Sequence, residues 1–358
     1  MRNICFLAGN LNHSGGTERV TSVIANELIK NNYKVSILSL VDGKNPFFTL
    51  NKDIQTYSLY PKEISFKKNF VHATYKIRQF VKRHEVDVVI VVDSNSCLFT
   101  VPALVGLGIK HICWEHFNFN NDLGRYSRRL ARQLAARYCD SIVTLTERDK
   151  QYWLKGTRHK SQIIAIANPC PFPPQNYSKQ GNTHTVLTVG ELTEVKGFDL
   201  LLEAWIQINK VMPDWKLVIV GEGDDRKKLT GFIKKYNLMD SVDLVGRISD
   251  VSKYYKEAEI FCLSSRFEGF PMVLLETLAF GLPVVSFDCD TGPAEILEDT
   301  GSILVPKNNI DQLASSLINL MKDEEDRKSI RLKAKEKSKN YQPENTVNHW
   351  IELLESLN

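Results

Sequence analysis

Between Ile260 and Leu297 the chain reads IFCLSSRFEGFPMVLLETLAFGLPVVSFDCDTGPAEIL, and this run limits the possible folds more than any other stretch. Ile260 to Leu263 is a short apolar strand, and Ser264 to Phe270 is a polar loop with a permissive Gly269. Pro271 suits the first position of a helix, where its missing N–H would be unpaired anyway. Gly281 stops that helix, Pro283 bars its restart, and Leu282 to Phe287 supplies the next buried strand. Strand, loop, helix and strand in this order belong to an α/β chain with a doubly wound parallel sheet.

Two carboxylates frame the helix. Glu268 lies in the loop before it, and Glu276 follows Pro271 by five residues, roughly 7.5 Å up the axis. Only Glu276 and Thr277 are polar between Pro271 and Phe280, so the helix is buried on most sides. A carboxylate there must find hydrogen-bond donors or lose its charge. Sugar hydroxyls would supply them, while the free N–H groups at the helix start would meet a phosphate or a hydroxyl-rich ligand. The competing reading pairs Glu276 with a Lys or Arg from a neighbouring helix and leaves Glu268 solvated. For either acid alone that reading is the better one. With both acids and Gly269, Pro271, Gly281 and Pro283 in place, ligand binding is the better one.

At 358 residues and 43% hydrophobic the chain suits two α/β domains rather than one ordinary core. Residues 1–170 carry 24 Lys and Arg against 13 Asp and Glu, whereas the remainder carries 22 against 29. A basic first half points to an anionic surface or ligand. Nucleic acid is not the expected partner, because no interleaved aromatic-basic motif or zinc spacing occurs. The seven cysteines are scattered, without a C-x-x-C pair, and read as small buried residues in a reducing compartment, with no metal site implied. The first apolar run, Ile4 to Ala8, is too short for a signal peptide, and no window reaches the ~20 apolar residues of a membrane span. A cytoplasmic protein that can touch a membrane is expected.

Along the first half, strands are expected at Asn3 to Ala8, Val35 to Leu40, Asp87 to Val92, Ile109 to Trp114, Ser141 to Thr144 and Ile163 to Ala167, with Val41 to Pro61 less regular. Gly15 and Gly16 precede a helical pattern from Thr17 to Lys30; such a pair lets backbone N–H groups approach a phosphate or sugar, or simply makes a tight turn. It is not the dinucleotide fingerprint. From Ser65 to Glu85, Phe66, Phe70, Ala73, Ile77, Phe80 and Val81 fall at helical spacing. Lys67, Lys68, Lys76, Arg78, Lys82 and Arg83 occupy much of the rest, so this helix suits anionic lipid headgroups or a core-packed helix with a solvated basic face. Glu115 and His116 end a strand and point to the crevice where open α/β sheets bind ligands. The segment from Gly124 to Arg137 puts five arginines on one helix with Leu130 and Leu134 opposite, suiting a lipid diphosphate, a membrane surface or solubility alone.

Residues 170–182, CPFPPQNYSKQGN, read as a linker. Beyond it lie strands at Thr185 to Val189, Trp215 to Val220 and Val242 to Val245. Lys196 and Gly197 stand just before an amphipathic helix. A last helix spans Glu344 to Leu357, with Val347, Trp350, Ile351 and Leu354 apolar.

The spacing of Glu268 and Glu276 resembles the E-x7-E signature of retaining glycosyltransferases of family four. SSRFEGFPMVLLE, AFGLPVVSFD and TGPAEIL are similar to its bacterial branch that builds O-antigen, capsule and exopolysaccharide. The SGGTER stretch around Gly15, Gly16 and Thr17 resembles the loop that opens this branch, and CWEHFNF resembles its EH loop. The resemblance covers essentially the full length. It implies the GT-B fold, two Rossmann-like domains facing a central cleft. Residues 1–172 would be the acceptor domain, with a C-terminal helix 343–358 packing back on it, and 182–340 the nucleotide-sugar domain.

The resemblance also assigns roles. His116, Glu268 and Lys196 would be catalytic, with His116 beside the anomeric carbon, Glu268 on the sugar hydroxyls and Glu276 on the ribose. Donor contacts would come from Gly15, Gly16, Lys196, Gly246, Arg247, Ile248, Arg266, Glu268, Gly269, Phe270, Pro271 and Glu276, with Asp290, Thr291, Gly292 and Pro293 as a further donor-side loop. Acceptor contacts would come from Thr17, Glu115 and His116. The chain departs from the family's G-R-L-x-x-x-K-G pattern by carrying Glu191 where Arg is usual, which places an anion near a diphosphate unless it points away. Arg266 or Arg247 would compensate. The implied activity is retaining and metal-free, with no cofactor. It takes a sugar from a nucleotide donor, uracil being the commonest base, to a lipid-diphosphate-linked saccharide at the inner face of the cytoplasmic membrane. A GT-B epimerase or phosphorylase, or a silent sugar-nucleotide-binding partner subunit, is the alternative.

Overall fold

The structure, a computed structural model, describes residues 1–66, 68–122, 124–175, 183–248 and 250–357. Residues 176–182 of the expected linker and Lys67 of the basic segment lie outside the described residues. The chain divides into two compact units. One is Met1–Pro171 together with the C-terminal segment from Pro343, and the other is Phe172–Gln342. Phe172 belongs with the second unit, one residue earlier than the expected edge, because its ring packs edge-on to Phe280 at 5.3 Å.

The first unit is built on seven parallel strands: β1 (Asn3–Ala8), β2 (Lys34–Val41), β3 (Gln55–Tyr60), β4 (Val88–Val92), β5 (Lys110–Trp114), β6 (Ser141–Thr144) and β7 (Gln162–Ala165). Their order across the sheet is β3-β2-β1-β4-β5-β6-β7. The strand order reverses between β1 and β4, which makes the carboxyl ends of these two strands the topological switch point. β1 and β4 are buried along their whole length, as expected of strands covered on both faces. The strand β3 falls inside the stretch expected to be irregular. Its sequence QTYSLY is polar and only half-buried at the sheet edge, so it lacks the apolar run that marks the central strands. The C-terminal helix Pro343–Ser356 belongs to this unit, with Trp350 set edge-on to Trp114 at 4.8 Å and the Leu354 carbonyl accepting from Arg2.

The second unit carries six parallel strands: β8 (Thr185–Val189), β9 (Lys216–Val220), β10 (Val242–Gly246), β11 (Ile260–Leu263), β12 (Val284–Asp288) and β13 (Ile303–Pro306). Their order is β10-β9-β8-β11-β12-β13, with the reversal between β8 and β11. The helix after β11 runs Met272–Ala279, so Pro271 is the residue before the helix and not its first position; its carbonyl accepts the Leu274 N–H at 2.9 Å. From Ile260 to Leu297 every residue is buried or half-buried. That stretch is the inner layer of the unit, so its few polar groups must find partners within it or in a ligand.

Candidate active site

In the second unit the loops leaving β8 and β11 bring Lys196 and Glu268 together, 72 positions apart in sequence. Lys196 Nζ lies 2.7 Å from Glu268 Oε1, and the Ser265 hydroxyl donates to the same oxygen at 2.7 Å. Glu268 is only 8% exposed, so the reading of a solvated loop carboxylate does not hold. Lys196 keeps 28% of its side chain exposed, so the pair is not sealed from solvent. Gly197 makes this approach possible. It has φ +64°, and a Cβ there would stand 2.1 Å from the Ser264 carbonyl oxygen, so the two loops meet backbone to backbone. The Ser264 hydroxyl closes the contact by donating to the Lys196 carbonyl at 3.0 Å.

The donor-side loop packs on the same elements. The Thr291 hydroxyl donates to the Glu268 carbonyl at 2.8 Å, and a Cβ on Gly292 would stand 2.4 Å from Pro271 Cδ. Glu276 is buried and accepts from the Tyr255 hydroxyl at 2.7 Å; the Tyr255 ring is stacked on Phe280 with centroids 5.2 Å apart. A tyrosine donor for Glu276 was not legible in the sequence, since Tyr255 sits on a short helix with no motif around it. Gly269 is half-buried and Phe270 buried beside these groups.

Arg266 forms a two-pronged pair with Asp199, both contacts at 2.8 Å, and also donates to the Glu194 carbonyl at 2.7 Å. Burial pushes the Asp199 carboxyl up, but the Arg266 guanidinium outweighs it and holds Asp199 below the usual range. The expected compensation for Glu191 is therefore not supplied by a free Arg266. Glu191 itself is exposed. Gly246 ends β10 at φ +91° after a bulge, followed by exposed Arg247 and half-buried Ile248. Arg226 was missed from sequence: it donates to the Leu244 carbonyl at 3.1 Å and pairs with Glu222 at 2.7 Å, next to Gly246.

In the first unit, Gly15 is the residue before the helix Gly16–Lys30, and Thr17 donates to Glu18 at 2.8 Å. A Cβ on Gly16 would meet nothing within 4 Å, so that position opens onto free space beside the β1 exit. His116 follows β5, its ring 4.5 Å from Trp114, and its Nε2 has no partner among the described residues. Burial pushes its pKa down to about 3, so the imidazole is neutral near pH 7 and acts as a hydrogen-bonding group rather than a cation.

Glu115 requires a correction. Its carboxylate is sealed inside the unit, where Ser94 and the Phe117 N–H donate to it, Arg132 Nε lies 3.2 Å away and Arg128 Nη1 3.6 Å away. It is 1% exposed and cannot touch an acceptor, because two arginines of the next helix cover it. Burial, with Asp93 nearby, raises its pKa against the pull of those arginines. Arg128 also grips Asp93 through two contacts of 3.0 Å, and Asp93 has φ +110°, a strained value for a residue with a Cβ. The arginine-rich helix thus departs from expectation in part: Arg125, Arg129 and Arg137 are exposed, but two arginines and Leu130 have exchanged sides. Arg128 and Arg132 face inward, whereas Tyr126 and Leu130 are 79% and 47% exposed. The sequence signal was present in Asp93 and Glu115 at two strand ends, whose charges called for buried cations.

All seven cysteines are buried and unbridged. Among the described residues one trio could hold a metal: Cys97, His111 and Cys139, whose ligand atoms lie within 4.8 Å of one another. His111 stands near the start of β5, away from the strand exits that carry the groups above. No helix among the described residues is long and apolar enough to cross a membrane.

Two family models match the chain, Glycosyltransferase Family 4 over residues 14–170 and Glycosyl transferases group 1 over 173–337. The protein belongs to the family-four glycosyltransferases of the GT-B fold. It is 39% identical, over 99% of its length and all of the relative's, to an uncharacterized glycosyltransferase of Haemophilus influenzae. It is 28% identical, over 99% of its length and 98% of the relative's, to the Campylobacter jejuni GalNAc-alpha-(1->4)-GalNAc-alpha-(1->3)-diNAcBac-PP-undecaprenol alpha-1,4-N-acetyl-D-galactosaminyltransferase. Its fold matches a crystal structure of S. aureus TarM in complex with Fondaparinux, alpha-GlcNAc-glycerol and UDP, with a TM-score of 0.81 over 99% of both chains at 15% identity.

Proposed function

We propose that this glycosyltransferase moves a hexose or N-acetylhexosamine from a UDP-sugar to a lipid-linked saccharide in bacterial surface polysaccharide biosynthesis. The transfer is metal-independent and retains configuration at the anomeric carbon. The observation that carries this reading is the 2.7 Å Lys196–Glu268 pair between the exits of β8 and β11. Breaking the bond between anomeric carbon and diphosphate loads charge onto the phosphate, and a fixed cation there favours the transition state. Lys196 fills that role. Glu268 holds the sugar hydroxyls and keeps the ammonium in place, and Glu276 with Tyr255 takes the ribose. In a front-face displacement the departing phosphate oxygen accepts the acceptor's proton, so neither acid need be a nucleophile, unlike the carboxylate pair of glycosidases. The first unit takes the acceptor, with His116 and Thr17 at its site.

The UDP-sugar assignment is supported by the UDP in the TarM complex, and the lipid-linked acceptor by the undecaprenol-linked substrate in the Campylobacter relative's name. Peripheral association with the inner face of the membrane is supported by the basic balance of residues 1–170.

The test is a transfer assay with purified protein, a lipid-diphosphate-linked saccharide and each of UDP-Gal, UDP-GalNAc, UDP-Glc, UDP-GlcNAc and GDP-Man. One UDP-sugar is expected to be consumed only when acceptor is present; consumption without acceptor would mark an epimerase or phosphorylase. Glu268→Gln and Lys196→Ala should each lower turnover by about 10²–10³, the usual loss for one group aimed at developing charge. Normal transfer in both would overturn the site, and activity lost to EDTA but restored by manganese would overturn metal independence.

A further inference from the structure

The helix Tyr126–Tyr138 leaves an apolar surface that the proposed function does not use. With Arg128 and Arg132 turned inward, Tyr126 and Leu130 face outward into a cavity of about 810 Å³. Phe66, Phe70, Leu98 and Phe99 form its other wall, with Phe66 and Phe70 ring centroids 5.3 and 5.5 Å from that of Phe99. Its volume falls in the range of about 300–1,000 Å³ that holds compact organic ligands. Asn95 and Ser96 also line it, and they are the second and third residues of the turn after Asp93 at the β4 exit. The cavity therefore lies beside the switch point of the first unit, on the side where open parallel sheets receive ligands. Exposed Arg125 stands on its wall.

We infer that this cavity takes the first apolar units of the lipid in a lipid-diphosphate-linked acceptor, with Arg125 on the diphosphate. The inference rests on the lipid-linked acceptor proposed above. Charge complementarity selects the occupant: an apolar pocket with Arg125 on its wall matches a chain that ends in a diphosphate. Its concavity fits a single inserted chain, whereas a bilayer surface would be met by a projecting apolar face. The inward turn of Arg128 and Arg132 has a physical consequence here. The inward arginines neutralise Asp93 and Glu115, and the same turn puts Leu130 where a chain can cover it.

The test uses the full-length protein and isothermal titration with four probes: farnesyl diphosphate, inorganic pyrophosphate, farnesol and phosphatidylglycerol vesicles. Farnesyl diphosphate is expected to bind at least tenfold more tightly than pyrophosphate. Leu130→Glu and Phe70→Glu, both at exposed positions, should bring it down to the pyrophosphate level with an unchanged Tm. Arg125→Ala should weaken farnesyl diphosphate and leave farnesol unaffected. Equal binding of farnesyl diphosphate and pyrophosphate overturns the inference, as does unchanged farnesyl diphosphate binding by Leu130→Glu. Vesicle binding that alone responds to Leu130→Glu overturns it in favour of a bilayer contact. If farnesyl diphosphate binds as stated while no lipid-linked saccharide is glycosylated, the acceptor reading fails and the cavity stands. If such saccharides are glycosylated with unchanged KM by Leu130→Glu, the cavity fails and the acceptor reading stands.

Discussion

The Lys196–Glu268 pair of the second unit and the Arg132–Glu115 pair of the first both sit at the exits of parallel strands, yet they do opposite work. In the first unit both side chains are sealed, at 2% and 0% exposure, and their remaining hydrogen-bonding capacity is taken up by Ser94 and the carbonyls of Phe119, Asn118 and Asn121. In the second unit the carboxylate is buried but its lysine stays 28% exposed. A pair with one open member can be entered by a ligand, and a pair with none holds the loop that carries other groups, here His116. The lesson is that a charged residue at a strand exit is a candidate ligand contact only if its partner leaves it reachable.

The largest effect that would break this comparison is in stability. Arg132→Leu should destabilise the protein by about 3–5 kcal/mol, because Glu115 would keep a buried charge with its nearest cation gone. Adding Glu115→Leu should recover part of that loss, read as the coupling in a double-mutant cycle of denaturant midpoints. If the single variant unfolds at the wild-type denaturant concentration, the sealed pair is not a support. The Lys196 and Glu268 variants should show the reverse pattern, with turnover reduced and the midpoint little changed.

A smaller effect sharpens the geometry of the open pair. Gly197→Ala should cost about 1–2 kcal/mol from the left-handed backbone alone, with more from the approach to the Ser264 carbonyl. It should also lower transfer, because the β8 and β11 loops can no longer meet as closely. Wild-type transfer and Tm in this variant would show that the loops can separate without loss.

A test read as a slope with pH concerns His116. Its folded pKa of about 3 lies below the ordinary histidine value, so between pH 6.5 and 3 the unfolded chain binds a proton that the folded chain does not. Stability from this group is complete above pH 6.5 and falls as pH drops, by at most about 1.4 kcal/mol per unit. Asp149 works the other way. Burial raises its pKa to about 7, so its contribution declines as pH rises from about 4 to 7. The comparison is therefore wild type against His116→Gln, with Tm followed from pH 7 to 4. The variant should lose less stability over that range, and parallel curves would mean that His116 is charged in the folded protein.

How much of this was legible in the chain varies by element. The strands Asn3–Ala8, Ser141–Thr144, Thr185–Val189 and Ile260–Leu263 coincide with their apolar runs, since central strands of a parallel sheet carry an unmistakable local signal. Edge strand Gln55–Tyr60 does not, because half of it faces away from the core. Lys196, Glu268 and Glu276 were legible as site candidates, the first from the glycine beside it and the family resemblance, the acids from the apolar helix that one precedes and the other sits on. Their partners were not, because Ser265, Tyr255 and Asp199 carry no motif and acquire meaning only when distant loops converge. The facing of the helix Tyr126–Tyr138 was misread for a related reason. Hydrophobic periodicity takes arginine as solvent-facing, and it has no means of counting the buried carboxylates of Asp93 and Glu115 that two arginines must neutralise.

The sequence by itself determined the family, the two parallel sheets and the two acids around one apolar helix, because each of these is written in local runs of residues. Tertiary structure alone decided which charges remain within reach of a ligand. That depends on the partners contributed by remote segments, and burial settles it by requiring every enclosed charge to be matched.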